Sequence, residues 1–241
     1  MLNKGIVQDF HNLLYKSYII IRRSIGILAV LLPLLLVLGG LVSKDENLVQ
    51  RSLSAYYHNN MRDVFVTVLA MAAFLLIAYR GRTCIVRVLT TVSGILALFI
   101  IAFPTEVKNP PIIPYGIFEL PSYPSMLIHN ISAILFFILL GFISFFHFTS
   151  HLDSTPESRR KNDKWYRIFG TVMFMAATYM IFFVIAFPNY NVLVAEFIGL
   201  EALGFTWLFK GWKRESVMKK NPSVNRRRKY KWLRYSRYWK H

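Results

Sequence analysis

Of 241 residues, 55% are AVILMFWYC types and 17% are charged, and 29 Lys and Arg against 12 Asp and Glu leave a formal charge of +17. Ordinary soluble domains carry about 25% charged residues, so this composition excludes a disordered or fibrous chain and argues against a water-soluble globule. The apolar residues come in blocks long enough to cross a bilayer rather than in amphipathic stripes.

The first block, Ser24 to Val42, runs 19 residues without a charge. About 20 residues cross the hydrocarbon core, so it is long enough to span, and it exceeds the roughly 7 to 15 apolar residues of a cleaved signal peptide. Gly39-Gly40-Leu41-Val42-Ser43 is also a poor cleavage site, so the block reads as a retained helix. Five further blocks follow: Val64 to Tyr79, Val88 to Phe103, Met126 to Phe148, Ile168 to Phe187 and Val192 to Phe209. The fold class expected is an all-α integral membrane protein with six transmembrane helices and both termini on one side. Its domains divide as an N-terminal segment 1–23, a membrane domain 24–209 and a tail 210–241.

Basic residues orient that bundle. The N-terminal segment, the second and fourth loops and the C-terminal tail hold 25 of the 29 Lys and Arg, leaving Lys44, Arg51, Arg62 and Lys108 for the other face. The positive-inside rule then makes both termini cytoplasmic. Helix ends are also marked. Ile101-Ala102-Phe103-Pro104 and Ile185-Ala186-Phe187-Pro188 stop the third and fifth helices at prolines. Tyr79-Arg80-Gly81 and Phe209-Lys210-Gly211 suit a glycine cap after the second and sixth.

The first outer loop is expected to carry a short interfacial helix within Asn47 to Asn59, with Val49, Leu53, Tyr56 and Tyr57 on one face and Gln50, Ser54 and His58 on the other. Arg62 and Asp63 open the second helix, Asp63 as its cap. The second outer loop, Pro104 to Ser125, holds six prolines and leads to His129 and Asn130 in the fourth helix. At ~1.5 Å per residue, Glu196, Thr67 and His129 fall about 5 to 6 Å below the outer ends of their helices, while Glu201 lies about 14 Å down. An acid at membrane depth costs about 2.5 to 3.5 kcal/mol on insertion scales, which makes Glu196 and Glu201 candidate functional residues. With His58, Arg62, Asp63 and His129 they form the expected ligand site.

Ser52-Leu53-Ser54-Ala55-Tyr56-Tyr57-His58, followed by Arg62-Asp63-Val64-Phe65-Val66, resembles the S-x-S-x-Y-Y then R-D-x-F-V signature of a bacterial family of uncharacterised multi-helix membrane proteins. Glu201-Ala-Leu-Gly-Phe-Thr-Trp207 with Lys210-Gly211 resembles that family's last helix, and residues 20 to 212 bear a looser likeness to Frag1/DRAM-type six-helix proteins. The resemblance implies the fold and no particular activity.

From Lys210 onward there are 13 Lys or Arg and one acid, Glu215. Arg226, Arg227, Arg228, Lys229, Lys231, Arg234 and Arg237 interleave with Tyr230, Trp232, Tyr235 and Trp239, a pattern suited to anionic lipid headgroups. Nucleic acid is the disfavoured partner, because a tail that starts at the membrane meets lipid first.

No P-loop, dinucleotide fingerprint, H-E-x-x-H or G-x-S-x-G is present, and no cofactor is expected. Cys84 is the single cysteine, and His147 with His151 reads as two interfacial histidines rather than a metal site. The leading expectation is a protein that binds or moves a lipid or other amphiphile through a polar pocket at the extracytoplasmic side. Two alternatives stand beside it: a membrane-embedded hydrolase or transferase using His58 or His129 as base, and a structural subunit that docks a partner protein through its basic tail.

Overall fold

A computed structural model describes residues 4–43, 49–81, 83–105, 117–148, 156–186 and 191–220, with side chains omitted from the description at 4–15, 156–162, 184–186 and 211–220. Among the described residues all regular structure is helical: α1 (Lys4–Val42), a 3-10 turn (Ser54–His58), α2 (Arg62–Ala78), α3 (Cys84–Ala102), α4 (Ser122–Phe142) continuing into a π turn (Ile143–His147), α5 (Pro156–Ala186) and α6 (Leu193–Lys220). Each helix packs against the next in the chain, and α6 returns against α1, so the six form a closed ring.

Four segments are long and apolar enough to cross a membrane: Lys16–Val42, Cys84–Ala102, Ser122–His147 and Asp163–Phe183. Of the two remaining ring members, α2 has only 17 residues, and α6 carries Glu196, Glu201 and Lys210. The outer surface of the ring is itself apolar. Leu38, Phe74, Met175, Phe182 and Val194 are all more than half exposed. In water such a rim would be an aggregation surface; against acyl chains it needs no cover.

Local chemistry explains the helix boundaries. Thr83 caps α3, its Oγ1 accepting from Val86 N at 3.2 Å, and α3 stops at Ala102, two residues before Pro104. α5 spans Pro156–Ala186, and Pro188 lies outside the described residues. The stop at Pro104 therefore acts as the sequence predicts.

α2 ends at Ala78, where Tyr79-Arg80-Gly81 is expected to close it, but the stop at Phe209-Lys210-Gly211 does not act. The chain leaves α2 with Tyr79 extended at φ −68° and ψ 118°, and α6 runs through Lys210-Gly211 to Lys220. One glycine does not end a helix whose flanks favour it. Likewise α1 and α6 continue across the segment boundaries drawn at residues 23 and 210. The turn before α2 also differs from expectation. Met61, not Asp63, occupies the cap position and makes no side-chain cap bond, while Asp63 sits exposed in the first turn, where its charge complements the helix dipole.

Two pairs of glycines face each other at close helix crossings. A Cβ on Gly26 of α1 would lie 2.9 Å from the carbonyl oxygen of Gly204 on α6, and one on Gly204 would lie 2.9 Å from that of Gly26. Gly141 on α4 and Gly170 on α5 repeat the arrangement at 3.3 and 3.0 Å. Side chains are excluded at both crossings, so backbones meet directly, as small residues allow in bundles without a hydrophobic driving force between helices.

Candidate functional site

Of the acids and imidazoles singled out from the sequence, His58, Asp63, His129 and Glu196 lie at the end of the ring where α2, α4 and α6 begin. Loop 49–61 folds over that end. Leu53, Tyr56 and Tyr57 are buried beneath it, while Val49, expected on the same face, is exposed. The helix predicted over Asn47–Asn59 is thus a shorter, tighter turn among the described residues, held down by its aromatic side chains.

Glu196 fastens this loop. Its side chain is buried, and Oε2 accepts a hydrogen bond from the Leu53 N–H at 2.5 Å. The Arg51 carbonyl in turn accepts from Val192 N and Leu193 N, both at 2.9 Å, at the start of α6. The loop and the helix N-terminus therefore satisfy each other's otherwise orphaned backbone groups.

His129 performs the matching task for α3. The ring is buried, and Nδ1 donates to the carbonyls of Phe103 at 2.8 Å and Ile100 at 3.0 Å, near the C-terminal end of that helix. Two carbonyl acceptors require the proton on Nδ1, which leaves Nε2 as an acceptor. One turn earlier on α4, Ser125 Oγ donates to the Pro104 carbonyl at 2.8 Å.

His58 Nε2 donates to Thr105 O at 2.8 Å. Burial, together with the nearby Arg62 charge, holds this imidazole below its usual pKa of 6.5, opposed by the hydrogen bond to Thr105. Arg62 itself is exposed; it donates to the Tyr57 hydroxyl at 3.0 Å and covers that ring at 4.6 Å. No hydrogen bond joins Glu196 to His129 among the described residues, and Thr67, at the same level, is exposed.

Glu201 stands apart from this cap. It is half-buried, and Oε1 is shielded from solvent without a hydrogen-bond partner. Ile198 and Phe205, three residues before and four after, are 50% and 43% exposed, so Glu201 borders the apolar outer face of α6. The tail residues Arg226, Arg227, Arg228, Lys229, Lys231, Trp232, Arg234 and Arg237 lie outside the described residues, as do His151 and most of the proline-rich loop.

Sequence reading missed the opposite end of the ring. There Arg22 is 2% exposed within a group of rings. Its Nη2 donates to the hydroxyls of Tyr18, at 2.6 Å, and Tyr79. The guanidinium carbon lies 4.7, 5.4 and 5.6 Å from the ring centres of Tyr18, Tyr79 and Phe148. Trp207 meets Tyr79 and Phe148 edge-on, at 4.8 and 5.3 Å, and Phe148 meets Tyr166 at 6.1 Å.

The π turn after α4 delivers Phe148 to this cluster. Ser144 Oγ, in the turn, donates to the Tyr166 carbonyl at 2.9 Å, and the Phe148 carbonyl accepts from Lys210 Nζ. The available signals were Tyr18 and Arg22 four apart on α1 and an aromatic residue at the same end of most helices. Topology absorbed the charge of Arg22 as one of many cytoplasmic cations.

Comparison of the chain with family models, with curated proteins and with solved structures found no match.

Proposed function

We propose that this chain is a six-span protein of the bacterial inner membrane, with both ends cytoplasmic, that binds or moves a lipid or other amphiphile at its extracytoplasmic side. The observation that carries this reading is Glu201: a carboxyl oxygen without a partner, part-way along a helix, beside an apolar face open to acyl chains. A group so placed asks for a hydrogen-bond donor, and a lipid hydroxyl or amine entering between helices supplies one. Glu196, His129 and His58 hold the overlying loops in place, while Arg62 and Asp63 present opposite charges at the rim. The short turn at Ser54–His58 is the interfacial element, and the basic tail rests on anionic headgroups of the inner leaflet. The likeness of the Ser52–His58 and Arg62–Val66 motifs to multi-helix membrane proteins supports the same architecture.

Gentle extraction followed by native mass spectrometry tests the reading. Wild type is expected to retain an amphiphile that Glu201→Leu loses by about tenfold, the equivalent of 1.4 kcal/mol. Glu201→Gln, which keeps an acceptor oxygen, should retain it. Equal lipid content in wild type and Glu201→Leu would end the proposal.

A further inference from the structure

Arginine has five N–H donors and no acceptor. In Arg22, Nη2 is satisfied by two tyrosine hydroxyls, whereas Nε and Nη1 are buried without a hydrogen-bond partner. No carboxylate among the described residues pairs with this guanidinium. Rings stacked on a cation compensate part of its lost hydration, but they leave in-plane N–H groups unsatisfied.

A second cation stands at the same ring. Lys210 Nζ lies 5.6 Å from the Phe148 centre, as Arg22 Cζ does, and 4.8 Å from that of Tyr166. Asp163, half-buried at the same end, acts electrostatically on Tyr166, as Arg22 does, but Arg22 Nε and Nη1 donate no hydrogen bond to it.

Geometry also indicates a way in. Tyr79, Phe148, Tyr166 and Trp207 are 1% to 3% exposed, whereas Tyr18 and Lys210 are half-buried and form the accessible edge. Lys16, Arg23, Lys164 and Arg167, at the same end of the ring, add a positive field that draws anions toward it. A tetrahedral oxyanion with several acceptor oxygens matches a guanidinium and an ammonium that approach from different helices.

We propose that Arg22 and Lys210 form a phosphate-binding site at the basic end of the ring, filled by the headgroup phosphate of an inner-leaflet phospholipid or by a free phosphate. The phosphate oxygens accept from Arg22 Nε and Nη1 and from Lys210 Nζ, with half-buried Tyr18 at the edge of the site. This site is separate from the amphiphile site at Glu201, and either can fail without the other.

The test uses the full-length protein, delipidated in maltoside micelles so that no phosphate is present. Dioleoylphosphatidylglycerol and inorganic phosphate are titrated separately, and binding is followed by native mass spectrometry and by thermal stability. Wild type is expected to take up one phosphate-bearing molecule with about tenfold higher affinity than Arg22→Met or Lys210→Met, a difference of 1.4 kcal/mol. The tail is present in every variant, so its own lipid binding cancels from the comparison. Tight phosphatidylglycerol binding that phosphate does not displace makes lipid the source. Stabilisation of wild type by millimolar phosphate, absent in the variants, makes free phosphate the source. Lys210→Met, altered at a half-exposed side chain, keeps the test valid if Arg22→Met does not fold. Equal binding by wild type and Lys210→Met, or no binding of either probe by wild type, overturns the proposal.

Discussion

The two ends of the helical ring solve the same problem with opposite materials. At the Glu196 end, side chains reach to backbone: a carboxyl oxygen takes the Leu53 N–H, an imidazole takes the last carbonyls of α3, and loop 49–61 is stitched to the start of α6. At the Arg22 end, rings pack on cations, and the hydroxyls of Tyr18 and Tyr79 are the principal acceptors. Hydrogen bonds to backbone fix loops that have no regular structure of their own. Aromatic clusters instead contribute buried area and tolerate charge. The first end therefore opens by losing single bonds, and the second by losing volume.

Three measurements break or sharpen that contrast. The largest effect is expected from Trp207→Ala, which removes a 1%-exposed ring from contact with Tyr79 and Phe148 and should cost about 3–5 kcal/mol of stability in thermal unfolding. Amide exchange at Leu53 should stay unchanged in this variant; faster exchange there would show that the two ends unfold together.

Glu196→Ala comes next. It leaves the buried Leu53 N–H without an acceptor, at about 1–3 kcal/mol, and should speed exchange and proteolysis in loop 49–61. Glu196→Gln preserves an acceptor oxygen and should lose less.

The smallest effect belongs to His58, whose folded pKa lies below the unfolded 6.5 because burial disfavours the charged ring. Below that value the unfolded chain binds more protons than the folded one, so stability contributed by the neutral ring is full above pH 6.5 and is lost as pH falls through the folded pKa. Exchange in the 54–58 turn, taken relative to the intrinsic amide rate at each pH, should therefore rise on mild acidification. In His58→Gln that acid-side rise should be smaller, and an unchanged profile would remove His58 as its cause.

The helical content was legible because the apolar blocks are long and the proline at 104 stops a helix as expected. The positions of Glu196 and His129 near one end of the ring followed from rise per residue alone. Their partners did not. Both bond to backbone groups contributed by other elements, Leu53 and Phe103, and no side-chain pattern announces a backbone acceptor or donor. Helix lengths at the basic end were underestimated for a related reason. Polar residues outside an apolar block do not break a helix, so α5 starts twelve residues before Ile168 and α6 continues past Gly211. The Arg22 cluster escaped because its members come from α1, α2, α5, α6 and the π turn, and only the closed ring assembles them.

Ring closure falls to the first and last helices, with Gly26 against Gly204 at the seam. A chain still emerging from the ribosome has made α1 long before its partner exists, so the bare surface at Gly26 must wait, exposed to lipid, through the synthesis of four intervening helices. Any premature stop upstream of residue 204 leaves the seam open and that surface unclaimed. Quality-control machinery that inspects intramembrane surfaces would find its clearest mark of an unfinished molecule there.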